Sequence, residues 1–370
     1  MRIGIISTME GYSWGGSEEL WYRFALRCIH SGHEVNLSYG INGSTTEKLI
    51  RLTNLGAKIF FRRRKGEGNF LVKRLTRFNL FQSRFTEFFS LSHDLILVSL
   101  GSSNEIIADQ ELISCLLKAK APFYLLSQFN SEYGVLSDRN RKLAVSIYSS
   151  AKHVFFVSLR NKEIFETQII HELSNASIVN NPVSNYHDEL QNFPIDDVIS
   201  FAMVARLHCE TKGQDTLFRI LGMDNWKSKK WVLNLYGEGP DKNYLFDLSK
   251  FLGIEDKIRF KGSCDLVEIW SSNALLLMPS RAEGTPLALL EAMAAARPSV
   301  ASNVGGIADF IEDGVSGFLS PGSDLLSFNN ALERAWGARS RWKEMGMNAR
   351  EILLSRVDPE PEKFIYDILL

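Results

Sequence analysis

Residues 279–306, PSRAEGTPLALLEAMAAARPSVASNVGG, contain the passage from which the rest of the chain is best read. An apolar run, LLLM, enters it as a strand end, residues 280–284 form a loop, and a helix then starts abruptly. Thr285 is the predicted N-cap and Pro286 the first helical residue, where a missing N–H costs nothing. The amides of Leu287 and Ala288 then have no partner a turn back and lie at the positive end of the helix dipole. Such an end seats an anion, phosphate included.

Two acids flank this helix start. Glu283 lies in the loop ahead of it, and Glu291 lies five residues past Pro286, roughly 7–8 Å further along at 1.5 Å per residue. That is about the distance from a nucleotide's pyrophosphate to its ribose. The spacing puts Glu291 on the face of Leu287, Leu290 and Ala294, which is expected to look inward. A carboxylate there is costly without a hydrogen-bond partner, and Ala294 and Ala295 offer none. Ribose hydroxyls would satisfy it.

Short apolar runs alternate with helix-like segments along the whole chain. RIGIIS, HEVNLSY, HDLILVS, APFYLLS and AKHVFFVS form one series, and VISFAMVARL, KKWVLNLYGEGP, KIRFKG, ALLLMPS, PSVASN and SGFLS a second. The alternation predicts an α/β protein with two parallel sheets joined by right-handed crossovers, that is, two Rossmann-like domains. The break falls in the polar run around Pro182 and Pro194, giving domains at 1–185 and 199–355, a linker at 186–198 and a closing helix over 356–370.

With 370 residues, 45% hydrophobic and 23% charged, and net charge −1, the composition is that of an ordinary globular protein. Nothing in it points to nucleic acid. Cys28, Cys115, Cys209 and Cys264 are scattered without ligand spacing and read as reduced thiols. The first strand begins at Arg2 and no apolar run approaches a membrane span, so a cytoplasmic location is expected. No D-x-D triad follows an apolar strand, so no metal site is expected.

Three further motifs carry chemistry. Gly15 and Gly16 follow the first strand and open a helix, letting backbone approach a ligand closely. G-x-G-x-x-G is missing, and the second strand ends without an acid for a ribose, which disfavours a dinucleotide dehydrogenase. Arg206 and Lys212 follow the strand FAMVA, beyond the carboxyl end of a parallel sheet, where ligands collect. Each can add a charge-assisted phosphate contact worth about 1.5–3 kcal/mol.

Taken together, SRAEGTPLALLEAMAAARPSVASNVGG resembles the E-x7-E signature, Glu283 to Glu291, of retaining GT-B glycosyltransferases of the family 4 group (glycosyl transferases group 1). VARLHCETKG and IADFIEDGVSGFL resemble its flanking segments. The resemblance implies a GT-B fold, two Rossmann-like domains facing across a cleft, with the closing helix crossing back to the first domain. It implies metal-independent transfer, with retention, from a nucleotide diphosphate-sugar, UDP or GDP being the expected nucleotides, to a glycan or lipid-linked hydroxyl. By the same resemblance Arg206 and Lys212 meet the diphosphate, and Glu283 with the backbone of Gly284, Thr285, Pro286 and Leu287 surrounds the sugar. Glu291 takes the ribose, and Gly15 and Gly16 face the donor phosphates. Gly237, Gly239 and Pro240 resemble a loop beside the nucleotide, and Lys261 and Gly262 the segment meeting the base. No cofactor beyond the donor is implied.

One departure concerns a histidine that many relatives carry near the strand end DLILVSLGSSN. Ser99 holds its place here, and Ser99, Ser127 or Gln128 stand as substitutes without one being assigned. Between positions 62 and 84 there are Arg62, Arg63, Arg64, Lys65, Lys73, Arg74, Arg77 and Arg84 against one acid, Glu67. With Leu71, Leu75, Phe78, Phe81, Phe85 and Phe88 at helical spacing, residues 62–89 are a candidate basic amphipathic helix for an anionic membrane surface on the inner face, or else a basic cleft wall. Two other functions use the same features: a nucleotide-sugar epimerase, and a silent nucleotide-binding scaffold.

Overall fold

A computed structural model describes residues 1–10, 14–40, 46–63, 83–184, 186, 189–194 and 197–370. The chain divides into two compact units, Met1–Pro182 with Glu360–Leu370, and Val183–Pro359.

The first unit holds a seven-stranded parallel sheet in the order β3-β2-β1-β4-β5-β6-β7. Its strands are β1 (Arg2–Ser7), β2 (Glu34–Gly40), β3 (Lys58–Arg62), β4 (Leu95–Leu100), β5 (Phe123–Ser127), β6 (His153–Phe156) and β7 (Ala176–Ile178). β4 and β5 are buried along their whole length because helices cover both faces, so they read as unbroken apolar runs. The helix Pro361–Leu369 completes this unit by packing Ile365 and Leu369 into the core of the helix Glu19–His30. Arg27 anchors it through Glu360 at 2.8 Å and Glu362 at 3.3 Å.

The second unit holds a six-stranded parallel sheet in the order β10-β9-β8-β11-β12-β13. Its strands are β8 (Ile199–Val204), β9 (Trp231–Tyr236), β10 (Ile258–Gly262), β11 (Leu275–Met278), β12 (Ser299–Ser302) and β13 (Gly317–Ser320). Renumbered within the unit, this is the 3-2-1-4-5-6 Rossmann order, whose direction reverses between β8 and β11. Ligands bind outside the carboxyl ends of strands at such a reversal. Residues 205–213 and 279–286 leave the sheet there.

The helix Leu287–Ala294 is fixed from behind. Leu289, Leu290 and Met293 are buried in the core, and the following residue pair is unusual. Ala296 takes a left-handed φ of 55°, and Arg297, 1% exposed, donates to the carbonyls of Trp270, Asn273, Ala295 and Asn192 at 2.8–3.0 Å. Burial pushes its guanidinium down to about 10. A charge so deep persists because carbonyls surround it.

The basic amphipathic helix expected over 62–89 lies mostly outside the described residues; at its start Arg62 belongs to a strand, and at its end Thr86–Phe89 is a short helix. Arg62 ends β3, buried, and donates to Ser38 O at 2.8 Å and to Ser7 O. Arg84 pairs with Glu10 at 2.6 Å, with Asp109, and with Glu111 at 3.2 Å. Phe85 and Phe88 are core residues. These two bases are neutralised inside the protein and do not face a lipid surface. Among the described residues no helix is long and apolar enough to cross a membrane.

Candidate active site

Beyond β8 the chain turns at Arg206, makes the short helix Cys209–Lys212 and enters the helix Gln214–Leu221. Gly213 joins the two helices with φ 69°, and a Cβ on it would lie 2.0 Å from Pro279 O. Only glycine lets the two loops touch. Gln214, fully buried, donates from Nε2 to Arg206 O at 2.8 Å and fixes the backbone of that residue.

The loop after β11 lies directly on this one. Arg281 forks onto both Asp215 oxygens at 2.9 Å, donates to Thr216 Oγ1 at 2.9 Å and to Cys209 O, and its own amide meets Thr211 O at 2.8 Å. Two residues on, Glu283 receives Lys212 Nζ on both oxygens at 2.8 Å and Ser280 Oγ on Oε1 at 2.7 Å. Glu283 is 7% exposed, and this pairing makes its charge tolerable. The loop after β12 closes the other side, since a Cβ on Gly305 would lie 2.1 Å from Glu283 O, and Gly306 N donates to Gly284 O at 2.7 Å.

Two expectations about the helix are corrected. Its N-cap is Pro286, with φ −72° and ψ 124°, and no side chain caps it; Thr285, 2% exposed, lies one residue earlier. Helical residues therefore begin at Leu287. Nor does Glu291 share a buried face with Leu290 and Ala294. It is half-buried on the outer stripe with Leu287 and Ala288. The core is filled by Leu289, Leu290, Ala292 and Met293, which lie on the other side of the helix from Glu291.

Thus Arg206, Lys212, Glu283, Gly284, Thr285, Pro286, Leu287 and Glu291 all lie at or beyond the carboxyl ends of the adjacent strands β8 and β11. The sequence reading missed Arg281, Asp215 and Ser280, which hold this arrangement rigid. The glycine-bearing loop after β9 is joined to the same region, with Leu207 N donating to Glu238 O at 3.1 Å, Cys209 N to Asp241 Oδ2 at 2.6 Å, and Gly237 N to Gly262 O at 2.7 Å.

Gly15 and Gly16 belong to the first unit. Gly15 is extended, and Gly16 opens a 3-10 turn, Gly16–Glu18, before the helix Glu19–His30. Glu18, 2% exposed, accepts from Ser7 Oγ at 2.6 Å, and burial pushes its carboxyl up to about 7. The folded state therefore holds this proton more tightly than the unfolded chain does. The stabilisation is complete below the ordinary value of 4.5 and is lost as pH rises through about 7. Glu18→Gln removes the ionisation. Wild type should lose about 2–4 kcal/mol relative to this variant between pH 4.5 and 7, measured by urea unfolding at each pH. Parallel pH profiles would contradict it.

Residues 199–337 match the family model described as Glycosyl transferases group 1. An N-acetyl-alpha-D-glucosaminyl L-malate synthase of Bacillus anthracis is 33% identical over 143 residues, 37% of this chain and 38% of that protein. An exopolysaccharide phosphotransferase of Streptomyces coelicolor is 36% identical over 124 residues, covering 33% of this chain and 13% of its own length. The matches thus span well under half of these relatives. Among solved structures, Anabaena HepE in complex with UDP-glucose superposes with a TM-score of 0.77 over 99% of both chains at 17% identity, a likeness of fold.

Proposed function

From the match of residues 199–337 to the glycosyl transferases group 1 model we propose that the chain belongs to that family and transfers a sugar, with retention, from a nucleotide diphosphate-sugar to a hydroxyl of a glycan or lipid-linked acceptor. The observation that carries this reading is the Lys212–Glu283 ion pair, held by Ser280 at the start of the helix Leu287–Ala294. It sets a cation, a carboxylate and helix-end amides side by side beyond two adjacent strands.

As the glycosidic bond breaks, negative charge grows on the distal phosphate of the leaving nucleotide. Lys212, Arg206 and the amides of Leu287 and Ala288 are the groups assigned to that charge, and fixed donors of this kind favour the transition state over the ground state. Glu283 orients Lys212 and stands toward the sugar. The leaving phosphate accepts the acceptor's proton on the face it vacates, which keeps the anomeric configuration. Glu291, on the half-buried stripe of the helix, takes the ribose hydroxyls. The UDP-glucose complex of the Anabaena protein supports a nucleotide-sugar donor, and UDP or GDP is the nucleotide proposed.

Calorimetric titration of UDP into wild type and Glu291→Ala tests the ribose assignment. Affinity should fall about tenfold or more, the scale of one lost charge-assisted bond. Equal affinities would take Glu291 off the ribose.

A further inference from the structure

Trp270 stands in the helix Leu266–Ser272 of the second unit and is 1% exposed. Its indole Nε1 has no hydrogen-bond partner among the described residues. The other fully buried tryptophans of this unit differ. Trp226 Nε1 donates to Asn329 Oδ1 at 2.7 Å, Trp231 Nε1 to Trp226 O at 2.7 Å, and Trp342 Nε1 to Ala335 O at 2.9 Å. A buried donor left unmet costs about 1–3 kcal/mol.

Trp270 lines a cavity of about 260 Å³. Leu266 and Val267 of the same helix wall it together with Ala294 and Ala295 at the end of the helix Leu287–Ala294, and Glu189 and Gln191 complete the lining. All of these belong to the second unit. One buried guanidinium ties the three lining segments together: Arg297 Nε donates to Trp270 O at 2.9 Å, Nη1 to Ala295 O at 2.8 Å and Nη2 to Asn192 O at 2.8 Å. Arg350 donates to Ala294 O, so the carbonyls of both alanines are already met. The indole N–H is left as the unmet group on a fixed frame. Leu287, assigned to the leaving phosphate, lies seven residues before Ala294, roughly 10 Å along the helix, so this cavity is a different place from the nucleotide site.

We propose that this cavity binds a small uncharged molecule with an apolar body and one acceptor oxygen, which the Trp270 N–H meets. Leu266, Val267, Ala294, Ala295 and the indole ring offer apolar surface, the usual lining of a small-molecule site with a few polar groups set in it. The volume, below the roughly 300–1,000 Å³ of pockets for drug-sized ligands, suits a single ring. An indole N–H only donates, so the ligand must bring the lone pair. A hydrocarbon leaves the N–H unmet, and an ammonium has no lone pair to give it. A carboxylate would lose water against apolar walls with Glu189 beside it. The inference is independent of the glycosyl-transfer reading.

The test titrates the full chain with acetophenone, ethylbenzene and benzoate, followed by ligand-observed NMR. The three share a ring of one size, the second lacks the oxygen, and the third carries a charge. Acetophenone should bind wild type saturably at one site, with ethylbenzene and benzoate each about fivefold or more weaker, the scale of one neutral hydrogen bond. Trp270→Phe keeps an aromatic body and removes the N–H. It should weaken acetophenone about fivefold and leave ethylbenzene within twofold of its wild-type affinity. Val267→Trp plugs the cavity from a residue that is 51% exposed, so it folds whether or not Trp270→Phe does, and it should weaken acetophenone at least tenfold. No saturable acetophenone binding by wild type means that the cavity holds water alone and overturns the proposal. Equal acetophenone affinities in wild type and Trp270→Phe, or an equal loss of acetophenone and ethylbenzene in that variant, take the N–H out of the site and overturn it too. Undiminished binding in Val267→Trp puts the ligand elsewhere, and benzoate binding as tightly as acetophenone makes the site one for anions; either result contradicts the proposal.

Discussion

Lys212→Ala and Arg206→Ala should each lower turnover about 10²–10³-fold, because one fixed donor lost from a developing oxyanion costs roughly 3–4 kcal/mol at the transition state. The geometry separates their side effects. Lys212 Nζ is bound to both oxygens of Glu283, which is 7% exposed, so its removal also takes the lysine cation away from a buried carboxylate. Lys212→Ala should therefore melt below wild type, and the double variant Lys212→Ala/Glu283→Gln should regain stability without regaining turnover. Initial rates of nucleoside diphosphate release measure this. Equal losses in kcat and kcat/KM identify a contact made only in the transition state. Turnover within threefold of the parent in both single variants would remove the two cations from the leaving group.

Gly213→Ala is expected to have the second large effect, although it touches no reacting group. The new Cβ would sit 2.0 Å from Pro279 O, and φ 69° adds left-handed strain. The loop carrying Ser280, Arg281 and Glu283 must move away from Lys212, with a loss of about 2–4 kcal/mol of stability and most of the activity. Gly337→Ala is the control, because no atom lies within 4 Å of its added Cβ at the end of the helix Leu325–Gly337. It should be neutral or slightly stabilising. Equal melting temperatures for Gly213→Ala and wild type would mean that the two loops are not locked together by this glycine.

What could be read in the sequence follows from how each element is packed. β4, β5, β9 and β11 are covered on both faces and announce themselves as apolar runs. β3 and β7 are sheet edges with partly exposed patterns, and the reading passed over both, taking Arg62 into a helix. The helix LALLEAMA is apolar at every position except Glu291, so its periodicity defines no face, and the orientation of Glu291 was misjudged for that reason. The residues at the strand ends were found because the topology rule and the motif agree on them. The partners were not, since Lys212 and Glu283 lie 71 residues apart and Arg281 and Asp215 66 apart. Nothing in local spacing encodes a pairing across loops. The burial of Glu18 against Ser7, 11 residues earlier, is likewise a product of the fold and has no local signal.

Calorimetric titration of the wild-type chain with UDP, GDP and ADP bears most directly on the claim that the loops after β8 and β11 hold a nucleotide diphosphate. The account predicts that at least one of the three binds at a single site per chain. If none of them binds, the account is contradicted.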